Sequence, residues 1–553
     1  MELEVVETVT KTIGSLALAY PYLRRLGVAE IIDEVTSRGK ERLVPTGKVI
    51  EVLILNRLAL RPTPISKVAA WAATQAVEEV YGIPAAALND DRIGRALDEL
   101  HPHLLDAWAA IVLRGAQAYG LQLDRLHSDV TRVAFEGEYD AAPLTTADGR
   151  PLAQITHGYT GKEDPSRKQL TVSLSVAADG ALPVWYRVAD GHAADTRMYL
   201  EHLAAVRASL QLDRPLVVGD SKLVSRANLL GFCRVGARFI APTRLAAADR
   251  RTLLALWQAG QPFWRLDPPA QSETPSAARY WALEHPEDLA DPERGTSYAL
   301  RRLFVQSLDD RRATRHQRAK DLARARRALG LIRGRLGRPT YRDPAVVRRK
   351  VAEAVRQVRD YVHPTVLQTP AGLELRWRLD RARLREEAQF DGIYCLLTNL
   401  PPAEAALQGV FREYKGQIHV ERRFRVVKHP PLQIRPVWLH QPHRIESLVF
   451  VVLVALFVFA LIEREARRVV GESGQVFSGL RPEGRDKLPV TAERLFEIFA
   501  PLSLVKQRLR VGSAVLGLLT PATLSPIQAQ ILDRLGLPRP DSYLHPTLAL
   551  HPT

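Results

Sequence analysis

Three acidic residues, each set on a regular element, constrain this chain more than anything else in it. The run LHSDVT reads as the end of a short apolar strand and carries Asp129, and PLVVGDS reads as a buried strand closing on Asp220. The third acid, Glu421, lies in YKGQIHVERRFRVVK, Tyr414 to Lys428, a strongly basic stretch with helical spacing. Both aspartates are expected at strand ends, and Glu421 on a helix beside them. Such a placement requires a sheet with helices packed on it and suits phosphoryl transfer on nucleic acid.

The surrounding pattern supplies that sheet. From about residue 122, LDRLHSDVTRVAF alternates as a strand does, and KQLTVSLSVAADGALPVWYRVADG reads as two strands joined at Ala178-Asp179-Gly180, a hairpin turn. An amphipathic helix (DTRMYLEHLAAVRASLQ), a short strand (RPLVVGD), a helix (SRANLLGFCRVG) and a strand (ARFIAPT) follow. The order β-β-β-α-β-α-β describes a mixed sheet. Before it, residues 1–118 read as helical, with apolar residues at three- and four-residue spacing between prolines. After it, residues 245–388 interrupt the pattern. They carry Trp257, Trp264, Trp281 and Trp377 and two arginine-dense helices joined through GRPTYR. The sheet resumes with FDGIYCLLTNL, and one helix is expected from about 406 to 428. The expected domains are therefore 1–118, helical, for DNA-end binding or dimerisation; 119–244 and 389–475, the two parts of one core; 245–388, an inserted subdomain; and 476–553, a helical tail.

Charge narrows the partners. Lys and Arg number 77 against 61 Asp and Glu, a net +16 across 553 residues, which points to a polyanion. The two cysteines, Cys233 and Cys395, exclude a disulfide framework and a cysteine zinc site, and fit a reducing cytoplasm. The N-terminal MELEVVETVTKTIG lacks the basic and apolar regions of a signal peptide. Leu448–Ile462 is apolar for 15 residues, short of a bilayer span and bracketed by charge, so a helix buried on all sides is expected and no membrane partner.

Phosphodiester chemistry needs a nucleophilic oxygen, a leaving oxygen and neutralised charge at phosphorus. Two Mg²⁺ ions held by a few carboxylates provide this, so three acids at one rim of a sheet suffice. Singly, each acid has a plainer role, as a cap, a turn or a salt-bridge partner. Their conjunction is what matters: Asp129 on the first core strand, Asp220 at the end of the fourth, Glu421 on the helix after the last. That is the placement of an RNase H-like nuclease fold. On one helix, Tyr414, Gln417, Glu421 and Lys428 would share a face, with Lys415, Arg422, Arg423 and Arg425 on other faces and some of these on DNA phosphates.

These residues resemble the insertion-sequence transposases of the DDE class, in the IS4-like group and its IS1634-type branch. That group carries Tyr, two residues, Arg, three residues, Glu, six residues, Lys. Tyr414, Glu421 and Lys428 match in register, and Gln417 stands where the group has arginine. ALNDDRIGRALDEL, LHSDVTRVAFEGEY, ITHGYTGKEDPSRKQL, GHAADTRMY and VVGDSKLVSRANL resemble the same branch in the same order, and they include His157, Lys168 and Asp195. The resemblance implies a multidomain α+β/α/β chain: an RNase H-like mixed-sheet catalytic core, an N-terminal helical domain and a subdomain inserted between the second Asp and the Glu. It implies a transposase that binds terminal inverted repeats, cleaves DNA by metal-dependent hydrolysis and joins the 3′-OH ends to target DNA. Asp129, Asp220 and Glu421 would be the catalytic and metal-binding acids for two Mg²⁺ ions, with Mn²⁺ as substitute. Tyr414, Lys415, Gln417, Arg422, Arg425 and Lys428 would contact DNA, and a tryptophan of the insertion would stack on a flipped base. The implied partners are double-stranded DNA, as ends and target, and a second copy of the chain, at the nucleoid in the cytoplasm. A nuclease without transposition and a catalytically decayed DNA-binding protein are the alternatives.

Overall fold

The computed structural model describes residues 3–36, 44–135, 139, 145, 149, 151–158, 167–193, 195–267, 279–428, 441–481, 484, 488–511, 514–521 and 523–544. The chain forms two compact units, Met1–Arg238 with Gly416–Thr553, and Phe239–Lys415.

The first unit opens on strand β1 (Leu3–Thr12) and seven helices: α1 (Leu16–Leu26), α2 (Val28–Thr36), α3 (Thr46–Leu58), α4 (Val68–Thr74), α5 (Val77–Tyr81), α6 (Asp90–Leu100) and α7 (Leu104–Tyr119). Then come β2 (Arg125–Phe135), β3 (Lys168–Ala177), β4 (Pro183–Asp190), α8 (Asp195–Leu210), β5 (Leu216–Val218) and α9 (Arg226–Arg234). The chain continues through β6 (Arg238–Thr243), α10 (Ala247–Gln258), β7 (Trp264–Leu266), β8 (Tyr280–Asp291), β9 (Thr296–Ser307), α11 (Leu308–Arg333), α12 (Pro344–Val355), β10 (Val362–Thr369), β11 (Gly372–Leu379), α13 (Arg381–Gln389), β12 (Ile393–Thr398) and α14 (Leu407–Lys415). It re-enters the first unit with α15 (Ile418–Lys428), α16 (Pro442–Ser473), α17 (Ala492–Phe499), β13 (Ser503–Val511), β14 (Ala514–Pro521) and α18 (Pro526–Leu535).

In the first unit the strands lie in the order β4-β3-β2-β5. The β3–β4 and β2–β3 pairs are antiparallel and β2–β5 is parallel, so the sheet is mixed, as the strand order predicts. Strand β3 is buried along all but its first residue, which a strand covered on both faces requires. Helix α16 is the axis of the core. Every residue from Leu448 to Ile462 is buried, and helices α1, α3, α6, α7, α15, α17 and α18 pack on it. It is long and apolar enough to cross a membrane by length and composition, yet its apolar stretch is almost wholly covered by protein. That is the buried helix expected from the charges at its ends.

The second unit has its own sheet strands, ordered β6-β12-β9-β8-β7 and antiparallel throughout, and a separate β10–β11 hairpin. The two arginine-dense helices are α11 and α12, joined as expected around Pro339–Tyr341. Their small core comprises Leu329, Val347, Val351 and Leu375. The insertion also carries strands, of which β8 and β9, twelve residues each, are the longest among the described residues.

Three expectations are corrected. The N-terminal region begins with a strand, because Leu3–Thr12 pairs antiparallel with β13 across nearly the whole chain length. Glu4 and Glu7 face Arg510 and Arg508 across this pair at 3.1 and 3.5 Å, so the acidic start of the chain complements a basic strand near its end. The C-terminal tail is not wholly helical, since β13 and β14 form a hairpin. Finally, the helix expected over 406–428 is two helices, α14 and α15, separated at Gly416-Gln417. Glycine lowers helix propensity by about 1 kcal/mol, and Gly416 O accepts from His419 N–H to start a new turn at 2.9 Å. Tyr414 therefore does not share one helix face with Glu421.

Candidate active site

The register of the parallel strands sets the site. Strand β5 ends at Val218, opposite His127 on β2. Two residues beyond this last pair, on each chain segment, stand Asp129 and Asp220, so the two acids reach the same level of the sheet. Asp129 is not at a strand end as expected, because β2 runs on to Phe135 along β3. What ends there is its neighbour β5. Asp220 caps the short helical turn Ser221–Leu223, its Oδ1 accepting from Lys222 N–H at 2.9 Å. The cap and the candidate site are thus one residue, not rival roles.

Helix α15 packs on β2, β3 and α16 and carries Glu421, which is exposed. Its start is tied to the strand of Asp129: Gln417 Nε2 donates to Ser128 O at 2.9 Å, and Gln417 Oε1 is buried without a hydrogen-bond partner among the described residues. The Gln417 side chain thus bonds protein backbone. Behind Ser128, its hydroxyl meets that of Ser175, and His202 bonds Ser175 and Ser173 at 2.8 and 3.1 Å. Burial drives the His202 pKa down to about 3, leaving a neutral ring inside the strands.

The electrostatics single out Asp129. Burial first, and then the charges of Asp220 and Glu421, raise its carboxyl to about 6, against the Val130 N–H bond and Lys222. Asp129 therefore senses the charges of the other two acids. Among the described residues none of the three makes an ion pair, and no group of three His, Cys, Asp or Glu side chains gathers closely enough to hold one ion. The nearby His127 and His419 rings, 6.2 Å apart, are each lowered to about 4, chiefly by burial, so neither supplies positive charge at neutral pH.

The remaining expected DNA contacts divide. Arg422 and Arg425 are exposed on α15, with no ion pair among the described residues. Arg423 is buried against Glu463 at 3.1 Å and donates to Gly180 O and Ala181 O, so it is structural. A cavity of ≈ 670 Å³ lies beside Arg422 and Arg425, walled on its other side by Arg464, Arg467 and Arg468 of α16. Lys428 closes α15, and its side chain lies outside the described residues. Tyr414 and Lys415 belong to the second unit, where the Lys415 ammonium sits 4.4 Å from the Tyr280 ring centre and 5.9 Å from that of Tyr414. Of the residues in the other motifs, His157 is exposed, Lys168 opens β3 and Asp195 opens α8, the Asp195 side chain lying outside the described residues. Sequence reading missed Tyr199 of α8, which hydrogen-bonds Asp220 from 21 residues earlier in the chain.

Comparison with known proteins finds a family model described as a domain of unknown function, DUF4277, over residues 8–109. No curated protein matches. Among solved structures, a piggyBac transposase synaptic complex with hairpin DNA is similar at 6% identity and TM-score 0.38, over 89% of this chain and 82% of that one. A Mos1 transposase paired-end complex with left transposon end aligns at 12% identity and TM-score 0.15, over 37% of this chain and 60% of that one. A Mos1 mariner paired-end complex with Mn aligns at 11% identity and TM-score 0.15, over 43% and 72%. At these scores the likeness does not establish a shared fold.

Proposed function

We propose that this chain is a DNA transposase of the DDE type with an RNase H-like core, in the IS4-like group, acting at the ends of its own element. The observation that carries the reading is the level register of Asp129 and Asp220 across the parallel strands, with Glu421 near enough to raise the Asp129 carboxyl. In this reading the cluster holds two Mg²⁺ ions, or Mn²⁺. The donor set fits: three carboxylates are hard oxygen ligands, and a dication relieves the mutual repulsion that lifts Asp129. Magnesium takes only one or two protein carboxylates and fills its other positions from water and substrate phosphate, so the three acids need not converge on one ion. When bound, such ions activate water and neutralise charge at phosphorus.

The chain's own residues do the positioning. Asp129 and Asp220 hold the ions from two strands whose register is fixed, and Glu421 closes the set from α15. Gln417 ties the start of that helix to Ser128, next to Asp129. Arg422 and Arg425, free of acidic partners among the described residues, hold phosphates beside the cut. Trp264, 64% exposed on β7, has the surface to stack on an unpaired base. Cleavage frees a 3′-OH that attacks target DNA at the same centre. Two copies act together, because two ends must be joined, in the cytoplasm at the nucleoid.

The test is a set of single alanine variants at Asp129, Asp220 and Glu421, assayed on inverted-repeat DNA with Mg²⁺. Each is expected to keep end binding and lose cleavage. Full cleavage by any one removes that residue from the assignment. Cleavage by the unmodified protein without strand-transfer products assigns a plain nuclease instead.

A further inference from the structure

Asp220 is held by more than its strand. Tyr199, 5% exposed on α8, donates its hydroxyl to Asp220 Oδ1 at 2.9 Å and accepts from Asp220 N–H at 3.2 Å. With Lys222 N–H also on Oδ1 at 2.9 Å, that oxygen is committed to protein, while Oδ2 has no partner among the described residues. Asp129 repeats the arrangement, with Val130 N–H on Oδ1 at 2.7 Å and Oδ2 left open among the described residues. Each aspartate thus offers a single oxygen outward.

The approach of Tyr199 is built into the backbone at Gly219. A Cβ there would lie 3.0 Å from Tyr199 Cε1, 3.2 Å from its hydroxyl and 2.7 Å from Leu223 Cδ1. A side chain immediately before Asp220 would press on Leu223 and on the tyrosine ring, so glycine suits the close approach of Tyr199. The phenol is of no use as a base in this place, since burial first and then the Asp220 charge hold its pKa well above the ordinary value. Its role is geometric.

We infer that Tyr199 is a positioning residue that fixes Asp220 as a one-oxygen ligand and thereby makes the site select Mg²⁺ over Ca²⁺. The inference rests on the acids being a metal site. Mg²⁺ requires near-octahedral geometry at about 2.0–2.1 Å and suits single-oxygen carboxylates, whereas Ca²⁺ accepts both oxygens of one carboxylate at about 2.3–2.6 Å. A carboxylate pinned through Oδ1 cannot turn to present both. Releasing that pin penalises the ion that needs the fixed geometry and spares the one that does not.

The experiment titrates the full-length, metal-free protein with MgCl₂ and, separately, CaCl₂ by calorimetry, with no DNA present. Tyr199→Phe keeps the ring volume and removes only the hydroxyl; Gly219→Ala displaces the ring and serves as a second, independent route. Both are expected to weaken Mg²⁺ binding roughly 10–100-fold, the usual effect of losing an outer-shell partner, and to weaken Ca²⁺ binding much less, so that the preference narrows or inverts. If both variants bind the two ions as the unmodified protein does, or lose them in equal proportion, the inference is overturned while the metal site stands. If the unmodified protein binds neither ion, or Asp220→Ala binds them unchanged, the metal-site reading falls and takes this inference with it.

Discussion

Two groups of carboxylates in the first unit are treated in opposite ways. Along the second half of α16, Glu463 and Glu465 are buried and met by arginines: Arg423 and Arg467 at 3.1 and 3.2 Å from Glu463, Arg464 and Arg468 on Glu465. Near where β5 ends, Asp129 feels the charges of Asp220 and Glu421, and none of the three has an ion pair among the described residues. The first group is internally neutralised and holds helices together. The second has no arginine partner among the described residues, and burial together with the neighbouring acids raises Asp129. Lack of an ion pair is not enough by itself. Glu51 has none among the described residues either, yet it accepts from Ala29 N–H and the Tyr81 hydroxyl, each at 2.9 Å, and burial raises it to about 7. Its shift comes chiefly from burial, whereas that of Asp129 also draws on the charges of two further acids.

The largest effect expected from this contrast is on chemistry. On the proposed reading, alanine at Asp129 removes a metal ligand worth several kcal/mol to the transition state, on the order of 10³-fold in cleavage rate. Glu463→Ala should leave the rate per folded molecule nearly intact. Single-turnover cleavage normalised to folded protein separates the two. A rate loss at Glu463 as deep as at Asp129 would erase the distinction.

Stability should respond in the reverse order. Removing one partner of a buried ion pair costs about 3–5 kcal/mol, so Arg423→Ala, which also strands the Gly180 and Ala181 carbonyls, is expected to lower the chemical-denaturation midpoint sharply. Asp129→Asn should do the opposite in chelator. The folded-state pKa is raised to about 6, so the folded chain holds a proton that the unfolded chain has given up between about pH 4 and 6. Stability from this group is therefore lost as pH rises through that window and stays low above it. The neutral amide carries no such loss, and the variant should be about 1–3 kcal/mol more stable at pH 8 and little changed at pH 4. Denaturation at the two pH values checks the sign; a destabilised variant at pH 8 would mean that Asp129 is compensated after all.

How far these regions were legible in the sequence follows the range of the forces that make them. The four core strands, the turn at Ala178-Asp179-Gly180 and the buried α16 are marked by local periodicity, and the three acids stood out through their order along the strands. Strand β1 was hidden because its partner is β13, at the other end of the chain, and its alternation of Val and Glu has meaning only against the Lys and Arg of that strand. The break at Gly416 was visible as a glycine but outweighed by the helical spacing on either side. Tyr199 was invisible because its use depends on the space at Gly219, a contact between a helix and a strand end that no periodicity encodes.

Gln417 gives the smallest and most pointed test of the contrast. Read as a sequence position, it is a lost arginine, and Gln417→Arg should restore phosphate binding and raise activity. In the structure its amide holds Ser128 O at 2.9 Å, and its half-buried side chain stands between β2 and the turn that starts α15. An arginine there brings a positive charge to the acid cluster and gives up the fit of a shorter amide. It would partly neutralise Asp129, making the site resemble the arginine-paired group on α16, and compete with the cations of the proposed metal site. The expected result is a modest fall in kcat, about 3–10-fold or 1 kcal/mol, with a higher Mg²⁺ requirement and DNA binding unchanged or slightly tighter. Cleavage rates across a Mg²⁺ titration measure it. A rise in kcat at saturating Mg²⁺ would show that the amide tie to Ser128 is dispensable and that the position is a phosphate contact.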